Sequence, residues 1–495
     1  MKIAIRADAS AQIGSGHVVR CRTLARVLAQ RGAEITFVSR DCPGNMLAAL
    51  RAEGWTVRAL PAAIAGENAD SDATAAALAG ENADWLIVDH YGLGVDWQKH
   101  MRPHAERIMA IDDMANRRHD CDLLMDQNFS LNPAARYQGL VPATAQLCLG
   151  PRYALLGGDY AALPYRPAVA QPVKRILVSF GGADLADMTG RALAALSAPE
   201  FDGIQVDLVA GPSYPHRARL ETAAARRAGT TVLGPQPTLA GLLGAADVAI
   251  GAGGGTTWER ARAGAPAVVI TLADNQVPAT RDLAAAGALI YAGAAENLSA
   301  DALRDRLRGL LADPDARQRM TEAGQRMVDG RGAQRIAEVL LPSTDDALVL
   351  RPARADDRGF YFDLANEPDV RRQSFSTGPI PWPNHCAWFA GKLADPRVRL
   401  FVLEAQGLPV GQIRFDRDTG GAATLSYSLE SFARGRGWGK KLVALGVETL
   451  RREGSVPITA EVRPENTASR RVFDSLGFVL RPGSPDGRLV YTLAP

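Results

Sequence analysis

The sequence has few cysteines and no apolar run long enough to cross a membrane. Its five cysteines are Cys21, Cys42, Cys121, Cys148 and Cys386, an odd and widely scattered set without a Cys-x-x-Cys pair. Neither a disulfide framework nor a cysteine-based zinc site is expected from them. No apolar stretch approaches the roughly 20 residues of a membrane span, and the opening MKIAIRADAS has no signal-like core. These absences predict a cytoplasmic protein with reduced thiols.

The chain also lacks a strong net charge. Its 56 lysines and arginines against 54 acidic residues leave a formal charge of +2. There is therefore no electrostatic reason to expect a nucleic acid or a membrane as partner, and any phosphate must be bound at local sites. No acidic cluster has convincing metal-ligand spacing, so no metal is expected. The expected partners are small molecules, and the sequence leaves the oligomeric state open.

The chain is long enough for about three domains of roughly 150 residues each. A proline-bearing stretch, LPYRPAVAQPVKR, and a break at LLPSTDDALVLRPARADD divide it. Short β-branched runs such as KIAIR, AEITFVS and ADWLIVDH alternate with alanine-rich helical segments before the first break, and KRILVSFGG, IQVDLVAG and PAVVITL repeat the rhythm after it. This alternation predicts parallel sheets covered by helices. We expect α/β domains at residues 1–165, 166–341 and 346–495.

The middle domain carries two glycine-rich turns, each placed after a predicted strand. Gly181 and Gly182 stand in ILVSFGGADLADMTG, and Gly253, Gly254 and Gly255 stand in VAIGAGGGTTWER. Backbone N–H groups at such turns can hold phosphate, helped by the positive end of the following helix. A turn needed only for close packing is an equal alternative for either motif alone. Two turns in one domain favour phosphate binding.

His17 ends a glycine-marked loop, IRADASAQIGSGHVVRC, where a helical pattern begins. At a helix N-terminus the dipole disfavours imidazolium, so a neutral ring there can accept a proton near pH 7. Capping or packing is the alternative role for this histidine. Gly14 and Gly16 border it, and Asp8 and Arg6 precede it. Asp8 is predicted to orient His17 or to bind a sugar hydroxyl, with a solvated loop acid as the alternative.

The segment GAGGGTTWERARAGAPAVVITLADNQ resembles the signature of GT-B glycosyltransferases, notably the N-acetylglucosaminyltransferase of peptidoglycan synthesis. That resemblance implies two Rossmann-like domains in a GT-B arrangement. It also implies a diphosphate at the glycine turn with Thr256 and Thr257, a ribose on Glu259, and a sugar near Asn275 and Gln276.

The opening segment, VDHYGLGVDW, AIDDMANRRHDCDLLMDQN and ILVSFGGAD more closely resemble the UDP-sugar hydrolase family of pseudaminic acid biosynthesis, over about residues 1 to 340. The family frees 2,4-diacetamido-2,4,6-trideoxy-L-altrose from UDP. The resemblance implies that His17 activates water for an inverting attack, with UDP bound by the glycine turns. The strand ends supply further sugar-binding candidates, namely Asp89, His90, Tyr91, Asp112 and Asp113.

The third domain has its own glycine motif. SFARGRGWGKKLVALGVETL places Arg434, Gly435, Gly437, Gly439 and Lys440 between a predicted strand and an apolar helix. Successive N–H groups in this turn can grip a pyrophosphate. Together with ITAEVRPENTASRRVFDSLGF, the motif resembles the acetyl-CoA site of the GNAT acetyltransferase superfamily. The resemblance implies acetyl-CoA as co-substrate and an α/β GNAT fold, with Asn466 and the closing Gly477-Phe478 in register.

NEPDVRRQSFSTGPIPWPNHCAWFAGKL resembles the acceptor-binding half of acetyltransferases that act on a 4-amino UDP-sugar. One departure concerns the general acid, because Phe473 stands where many family members have tyrosine. Tyr491 or a bound water are the alternatives, and the acid stays unassigned. His385 and Glu430 are candidate bases, although His385 also suits a structural role beside Trp388 and Phe389.

These resemblances together imply a bifunctional enzyme. Its C-terminal domain is expected to acetylate the 4-amino group of UDP-4-amino-4,6-dideoxy-β-L-AltNAc, and its N-terminal half to hydrolyse the diacetamido product. A GT-B glycosyltransferase fused to an acetyltransferase is one alternative. A nucleotide-sugar binding module without catalysis is the other, although mere binding does not need His17.

Overall fold

The computed structural model describes residues 1–166, 168–481 and 487–495. The chain divides into two compact units, Met1–Leu341 and Pro342–Pro495. Among the described residues, no helix has both the length and the apolar character that a membrane crossing needs. Each unit has its own sheets and hydrophobic cores.

The first sheet of the N-terminal unit has seven parallel strands in the order β3-β2-β1-β4-β5-β6-β7. Its strands are β1 (Lys2–Ala7), β2 (Glu34–Arg40), β3 (Thr56–Leu60), β4 (Ala83–Asp89), β5 (Ala105–Ile111), β6 (Leu123–Asp126) and β7 (Gln146–Leu149). The helices of this part are α1 (Gly16–Gln30), α2 (Leu47–Ala52), α3 (Gly66–Ala77), α4 (Val95–Met101), α5 (Pro133–Arg136) and α6 (Gly158–Ala161).

The second sheet has six parallel strands in the order β10-β9-β8-β11-β12-β13. They are β8 (Arg175–Ser179), β9 (Gln205–Val209), β10 (Thr230–Leu233), β11 (Val248–Ala252), β12 (Ala267–Thr271) and β13 (Ile290–Ala294). The helices are α7 (Met188–Leu196), α8 (Arg217–Ala224), α9 (Ala240–Ala245), α10 (Thr256–Ala263), α11 (Val277–Ala285), α12 (Ala300–Ala312), α13 (Pro314–Met327) and α14 (Gly332–Leu340).

The central strands of both sheets are buried along nearly their whole length because helices cover both faces. In β1, Ile3, Ala4 and Ile5 are all buried although they point alternately to opposite faces. Continuous burial is the usual pattern of a parallel sheet in an α/β domain. The predicted α/β class, with parallel sheets covered by helices, is confirmed for both sheets of the N-terminal unit.

Helix α14 returns from the second sheet to pack on the first. Ala333, Ile336, Ala337 and Leu340 belong to the hydrophobic core around β1 and α1. At its end, the Trp85 indole donates to the Leu340 carbonyl at 3.2 Å. The division of the sequence at residue 165 assigns α14 to the second domain, whereas its apolar side chains complete the core of the first.

The C-terminal unit is built on one seven-stranded sheet in the order β14-β15-β16-β17-β18-β20-β19. Its strands are β14 (Leu348–Pro352), β15 (Val398–Ala405), β16 (Leu408–Arg417), β17 (Ala423–Leu429), β18 (Ile458–Val462), β19 (Val479–Arg481) and β20 (Leu489–Leu493). The helices are α15 (Arg358–Asn366), α16 (Pro368–Gln373), α17 (Trp382–Ala394), α18 (Trp438–Arg452) and α19 (Thr467–Ser475).

Strands β17 and β18 are the parallel neighbours in this otherwise antiparallel sheet. Their pairing begins at Ala423 with Ile458 and ends at Leu425 with Ala460. Strand β17 nevertheless continues to Leu429. The two strands therefore diverge beyond this point and leave unpaired backbone groups along an opening in the sheet.

Candidate functional site

His17 lies at the carboxyl end of the first sheet, where α1 begins. Strand β1 ends at Ala7, and a loop carries the chain to α1 at Gly16. The His17 side chain is buried, with the residue 6% exposed, and no side chain caps α1. Gly14 has φ +75°, and a Cβ at Gly14 or at Gly16 would meet nothing within 4 Å. The loop beside His17 therefore has open space for a ligand.

Asp89 holds the His17 ring. Asp89 is the last residue of β4, is paired in register with Ala7 of β1 and is fully buried. Its Oδ1 lies 2.6 Å from Nδ1 of His17. A carboxylate at this distance places the ring proton on Nδ1 and leaves the lone pair on Nε2. The pair therefore presents Nε2 as a proton acceptor.

Arg20, one helical turn after His17, supports the same carboxylate. Its Nε donates to Oδ2 of Asp89 and its Nη2 to Oδ1, each at 2.6 Å. Burial raises the pKa of Asp89, but the charges of Arg20 and His17 outweigh burial and hold that pKa well below its usual value. Nη1 of Arg20 donates to Asp113 at 3.1 Å. Asp89 therefore stays ionised beside His17.

Asp8 does not orient His17, contrary to the sequence-based expectation. Its carboxylate accepts two hydrogen bonds from Arg6, at 2.6 and 2.9 Å, and one from the Arg40 N–H at 2.8 Å. Nε2 of His90 lies 3.5 Å from it. Asp8 is 4% exposed, so it is not a solvated loop acid either. The charges around it belong to a buried network, which leaves the orienting role to Asp89.

Tyr91 connects the first sheet to the second across the space beside His17. Its ring meets the His17 ring edge-on, with centroids 4.6 Å apart. Its hydroxyl accepts a hydrogen bond from Nδ2 of Asn275 at 3.2 Å, and Asn275 lies in the turn after β12. Burial and the nearby Asp113 raise the pKa of Tyr91, so the phenol remains protonated. Tyr91 therefore contacts both His17 and Asn275, which are far apart in the sequence.

The other strand-end candidates divide into two groups. Asp112 is fixed by the Ala115 N–H at 2.8 Å and by an ion pair with Arg117 at 2.7 Å, so its carboxylate is occupied. Oδ1 of each aspartate is buried and accepts no hydrogen bond from any described residue. Oδ1 of Asp112 nevertheless forms the ion pair with Arg117, whereas Arg20 pairs with the other oxygen of Asp113, Oδ2. Asp113 is therefore the better sugar-binding candidate of the two.

The glycine turn after β11 is open to a ligand. A Cβ at Gly255 would meet nothing within 4 Å, and one at Gly254 would meet only the Gln276 amide, at 3.8 Å. No side chain caps α10, which begins at Thr256. Free N–H groups at the positive end of a helix suit a diphosphate. Gln276 holds the facing loop, since its Oε1 accepts from the Leu272 N–H at 3.0 Å.

Arg260 lies beneath this turn and is not among the residues predicted from the sequence. Its Nη2 donates to the Ala252 carbonyl at 2.6 Å and to Thr257 at 3.0 Å, and its Nη1 donates to Thr256 at 3.1 Å. Burial lowers the pKa of Arg260 to about 10, so it stays charged at neutral pH. An arginine on a glycine turn adds positive charge where a diphosphate can bind. The only local signal for Arg260 is its place directly after Glu259.

Glu259 has an unsatisfied carboxylate oxygen. Its Oε2 is buried without a hydrogen-bond partner among the described residues. Burial raises the pKa of Glu259 above its usual value. A buried, unpaired carboxylate oxygen is costly unless a ligand supplies donors. Two ribose hydroxyls are such donors, so Glu259 fits the predicted role.

The turn at Gly181 and Gly182 is open but differs from the expectation in one respect. A Cβ at either glycine would meet nothing within 4 Å. However, α7 begins only at Met188, and the Asp184 carboxylate accepts the N–H groups of Met188 and Thr189 at 2.9 and 2.8 Å. The end of α7 is already capped by an acid. Helix-dipole stabilisation of UDP is therefore available at α10 and not at α7.

No group of three or more histidine, cysteine or acidic side chains among the described residues could hold a metal ion. The polar groups around His17 are instead paired with arginine, as the Asp89–Arg20 contact illustrates.

In the C-terminal unit, a cavity of about 600 Å³ follows the glycine motif at the start of α18. Gly435 and Gly437 have φ of +76° and +81°, and a Cβ at either would meet nothing within 4 Å. No side chain caps α18, and Gly439 and Lys440 also line the cavity. The residues present therefore fit the pyrophosphate of acetyl-CoA. The divergence of β17 and β18 opens backbone groups beside the same cavity.

Arg434 lines this cavity, but its guanidinium is already engaged. It forms ion pairs with Glu367 and, at 3.1 Å, with Asp369. It also donates to the Leu429 carbonyl at 3.0 Å. Its side chain therefore ties α16 to the end of β17. If Arg434 contacts a pyrophosphate, its backbone and not its guanidinium makes the contact.

A second cavity, of about 620 Å³, is lined by residues 424–428 of β17. Both cavities are lined by Tyr427, Ser428, Asn466 and Ser469. The Tyr427 hydroxyl donates to Ser469 at 3.1 Å, and burial raises the pKa of Tyr427. An acyl donor in the first cavity and an amine in the second would meet at these residues. The sequence motif hints at Ser469, which follows Asn466 by three residues.

The structure separates the remaining candidates of this domain. Phe473 lines the second cavity, whereas Tyr491 is buried in the sheet core and lines neither cavity. Glu430 is buried at the end of β17 and lines neither cavity. Asn466 caps α19 by accepting from the Ser469 N–H at 3.0 Å. Tyr427 is thus the phenol nearest the two cavities.

His385 combines both roles considered for it. It stacks on Phe389 at 6.0 Å between centroids, and its Nε2 donates to the Arg358 carbonyl at 3.0 Å. It also lines the second cavity. Burial lowers the pKa of His385, which keeps the ring neutral at pH 7. With Nε2 donating, Nδ1 is left as a proton acceptor.

Comparison with known proteins gives one family match and several sequence relatives. The family of the acetyltransferase (GNAT) domain matches residues 347–479. Spore coat polysaccharide biosynthesis protein SpsG of Bacillus subtilis is 23% identical over 343 residues, which are 69% of this chain and 98% of that protein. The UDP-2,4-diacetamido-2,4,6-trideoxy-beta-L-altropyranose hydrolase of Campylobacter jejuni is 28% identical over 193 residues, 38% of this chain and 63% of that protein's length.

Among solved structures, MurG of Acinetobacter baumannii matches 69% of this chain and 99% of its own, with a TM-score of 0.51 at 16% identity. At that identity the likeness shows the fold alone. The GNAT domain supports an enzyme that uses acetyl-CoA for N-acetyl transfer. The C-terminal domain is therefore a GNAT acetyltransferase domain, joined to an N-terminal region that has the GT-B fold and resembles the UDP-sugar hydrolase of pseudaminic acid biosynthesis.

Proposed function

We propose that the chain is a bifunctional enzyme of nucleotide-sugar metabolism. Its N-terminal unit hydrolyses UDP-2,4-diacetamido-2,4,6-trideoxy-β-L-altropyranose to the free sugar and UDP, as the name of the Campylobacter relative describes for that protein. Its C-terminal unit acetylates the 4-amino group of the precursor UDP-sugar. The observation that carries the hydrolase proposal is the His17–Asp89 pair, at 2.6 Å, which leaves Nε2 as a proton acceptor.

Hydrolysis begins with a water held by His17. As Nε2 takes one proton, the water oxygen attacks the anomeric carbon on the face opposite UDP. The bond from that carbon to the phosphate oxygen breaks, and UDP leaves with the bonding electrons, so the configuration inverts. Asp89 stabilises the imidazolium that forms, because its carboxylate is ionised beside Nδ1.

UDP is held by the second sheet. The N–H groups at Gly254, Gly255 and Thr256 take up the charge that develops on the diphosphate, and Arg260 beneath the turn adds a fixed positive charge. Oε2 of Glu259 accepts the ribose hydroxyls. This account uses no metal ion for the leaving group.

The sugar lies between the two sheets in this proposal. Tyr91 and Asn275 lie on the side of the sugar that faces away from the nucleotide. The free Oδ1 of Asp113 accepts a hydrogen bond from an N–H or O–H group of the sugar. Gly14 and Gly16 let the ring approach the α1 loop, while Gly181 and Gly182 line the nucleotide side. The contact between Asn275 and Tyr91 opens when the sugar enters.

Acetyl transfer uses the two cavities that meet at Tyr427. The acceptor amine loses a proton to Nδ1 of His385 and attacks the thioester carbonyl. The carbon–sulfur bond then breaks, and the departing thiolate takes a proton from the Ser469 hydroxyl, which the Tyr427 hydroxyl replenishes. Because both hydroxyls line both cavities, they adjoin the place where sulfur departs.

A glycosyltransferase is the second candidate for the N-terminal unit, because the segment GAGGGTTWERARAGAPAVVITLADNQ resembles the signature of GT-B glycosyltransferases. The two candidates differ in the acceptor, which is water in one and a sugar alcohol in the other. The buried ring of His17, held by Asp89 and flanked by Tyr91, favours a small acceptor. Water is the smallest.

One incubation tests both halves. The full chain is mixed with acetyl-CoA and the 4-amino UDP-sugar in ¹⁸O-water, and products are identified by NMR and mass spectrometry. We expect CoA, UDP and the diacetamido sugar, with one ¹⁸O at its anomeric carbon and the anomer inverted when first formed. Label in UDP would mean that phosphorus is attacked, and release of UDP only with an added sugar alcohol would favour a glycosyltransferase.

A further inference from the structure

The second cavity of the C-terminal unit, which faces the acceptor in the proposed acetyl transfer, is lined by three arginines. They are Arg371, Arg414 and Arg463, and the acid in the same lining is Glu461. An arginine in a cavity is informative only if its charge is not already neutralised, because a paired guanidinium has little left for a ligand. The ionic partners of these side chains therefore decide what the cavity can bind.

Two of the four charges are neutralised within the protein. The Arg414 guanidinium pairs with Asp416 at 2.6 Å, and its Cζ lies 5.2 Å from the centre of the Trp388 ring. Glu461 pairs with Arg488 at 2.7 Å. Neither side chain leaves a free charge in the cavity. Arg371 and Arg463 remain.

Neither remaining arginine has a carboxylate partner among residues 1–166, 168–481 and 487–495. Arg371 donates to the carbonyls of Ser376 and Gly378, at 3.1 and 3.3 Å, and to the Ser374 hydroxyl at 2.9 Å. Nε of Arg463 donates to the Ser374 carbonyl at 3.0 Å. All of these partners are neutral. The cavity thus holds two positive charges without counter-charge.

The two guanidiniums converge on one residue, Ser374, and therefore lie close together. Like charges at such separation repel, and part of Arg371 is removed from water, including its Nε, which has no hydrogen-bond partner. Burial lowers the pKa of Arg371, as expected for a cation without a nearby anion. Arg463 is also held in place by the Phe375 ring, whose centre lies 5.7 Å from its Cζ. An anion between them would relieve the repulsion.

We propose that Arg371 and Arg463 bind the diphosphate of a nucleotide-linked amino-sugar acceptor. The proposal rests on the acetyl transfer proposed above and identifies how its acceptor is recognised. Paired guanidiniums match the oxygens of a diphosphate with charge-assisted hydrogen bonds. A peptide amine, the other common kind of acetyl acceptor, would bring a further positive charge into a cavity that already has two in excess.

Kinetics with graded acceptors test the proposal in the full chain. The acceptors are the 4-amino UDP-sugar, the same sugar 1-phosphate and the free amino sugar, and CoA release is measured for each. In Arg371→Gln and Arg463→Gln we expect KM for the UDP-sugar to rise about tenfold to a hundredfold, with KM for acetyl-CoA unchanged. KM for the free sugar should not change. Arg371→Lys, which keeps the charge, should lie between wild type and Arg371→Gln.

Arg397→Gln is the matched control, because Arg397 is exposed, pairs with Asp395 at 2.9 Å and lines neither cavity. It should leave every KM unchanged. Wild-type KM for the UDP-sugar in both Arg371→Gln and Arg463→Gln would overturn the proposal, as would equal KM for phosphorylated and free sugar in the wild type.

Arginine footprinting gives a readout that does not depend on acetyl transfer. Phenylglyoxal labels the full chain with and without UDP, and peptide mass spectrometry reports each arginine separately from the nucleotide site of the N-terminal unit. We expect UDP to protect Arg371 and Arg463 but not Arg397. If the 4-amino UDP-sugar is not acetylated and protection is still found, the acetyl-transfer proposal fails and the phosphate site stands. Absence of protection at both arginines overturns the phosphate site itself.

Discussion

Asp89 and His17 are 72 residues apart in the chain, yet Oδ1 of one lies 2.6 Å from Nδ1 of the other. The contact exists because β1 and β4 are neighbours in the sheet and bring the end of β4 against the loop that starts α1. In an open α/β sheet, ligands bind at the carboxyl ends of the strands where the strand order reverses. The β1–β4 junction is such a point, and the β8–β11 junction is its counterpart in the second sheet.

Replacing His17 should stop UDP release without preventing UDP binding. In His17→Ala and His17→Asn the proton acceptor is lost, and we expect UDP affinity to stay within about tenfold of wild type, since a base acts mainly in the transition state. Release is followed by a coupled UDP assay and affinity by calorimetry. Near-normal turnover in either variant would remove His17 from the mechanism.

Replacing Asp89 should reduce turnover through the orientation of His17. Asp89→Asn keeps the shape of the side chain but no longer stabilises the imidazolium, and we expect kcat to fall by at least about a hundredfold. Asp8→Asn is the comparison, because Asp8 pairs with Arg6 and not with His17. If the Asp8 variant loses more kcat than the Asp89 variant while both remain folded, the assignment of the orienting carboxylate is wrong.

Glu259→Ala should weaken UDP binding by roughly 1–3 kcal/mol, through the loss of charge-assisted hydrogen bonds to the ribose. Calorimetry with UDP measures the change. Inorganic pyrophosphate, which has no ribose, provides the control, because its affinity should be the same in wild type and variant. Unchanged UDP affinity would exclude Glu259 from the nucleotide site.

Hydrolysis should continue in EDTA, because backbone N–H groups and Arg260 take up the charge of the leaving UDP. UDP release is measured after dialysis against EDTA and again after adding Mg²⁺. A rate that falls with EDTA and returns with Mg²⁺ would show that the leaving group needs a metal ion.

The two activities should separate by substitution. Gly437→Glu puts a side chain and a negative charge into the open space at the start of α18, where φ is +81°, so acetylation should fail. Hydrolysis of preformed diacetamido UDP-sugar should continue, since the N-terminal unit, Met1–Leu341, has its own cores. Loss of both activities in a folded Gly437→Glu protein would mean that the units are coupled.

Truncation tests the same independence. A chain that ends at Leu341 is expected to hydrolyse the diacetamido UDP-sugar without acetyl-CoA. A chain that starts at Pro342 is expected to acetylate the 4-amino sugar without releasing UDP. It must include Asp345, whose carboxylate accepts from the Trp438 indole at 3.1 Å.

Acid should destabilise the N-terminal unit through its buried carboxylates. Burial raises the pKa of Asp8, but hydrogen bonds from His90 and Arg6 and the Arg6 charge outweigh it, so the pKa is lowered. A lowered pKa contributes stability that is present above the usual aspartate value and is lost as the pH falls below it. We expect a loss of about 2 kcal/mol in unfolding free energy from Asp8 on acidification below pH 4. Asp8→Asn should show a smaller pH dependence in denaturant unfolding curves.

Much of the fold follows from local sequence pattern. Runs such as KIAIR and ILVSF become buried parallel strands because they are apolar on both faces, and the alternation with helices determines the fold class. Strands β6, β7 and β13 were not predicted, since LLMD, QLCL and IYAGA are short and lie among polar or glycine-rich segments. The glycine turns were predicted because consecutive glycines directly after an apolar strand are visible in the sequence itself.

The arrangement of charges follows from contacts between distant segments of the chain. Sequence proximity favoured Asp8 as the partner of His17, but strand pairing brings Asp89 to the ring and takes Asp8 into the Arg6 network. The capping of α7 by Asp184 depends on a loop geometry that no pattern indicates. The electrostatic energy of an ion pair falls with the distance between the charges. Contacts between segments that are distant in sequence therefore decide which charges neutralise each other. Local sequence patterns specify most strands and helices of the N-terminal unit and the glycine turns, because these depend on neighbouring residues. Strand order and packing decide which acid holds His17. They also decide which arginines of the second cavity lack a counter-charge.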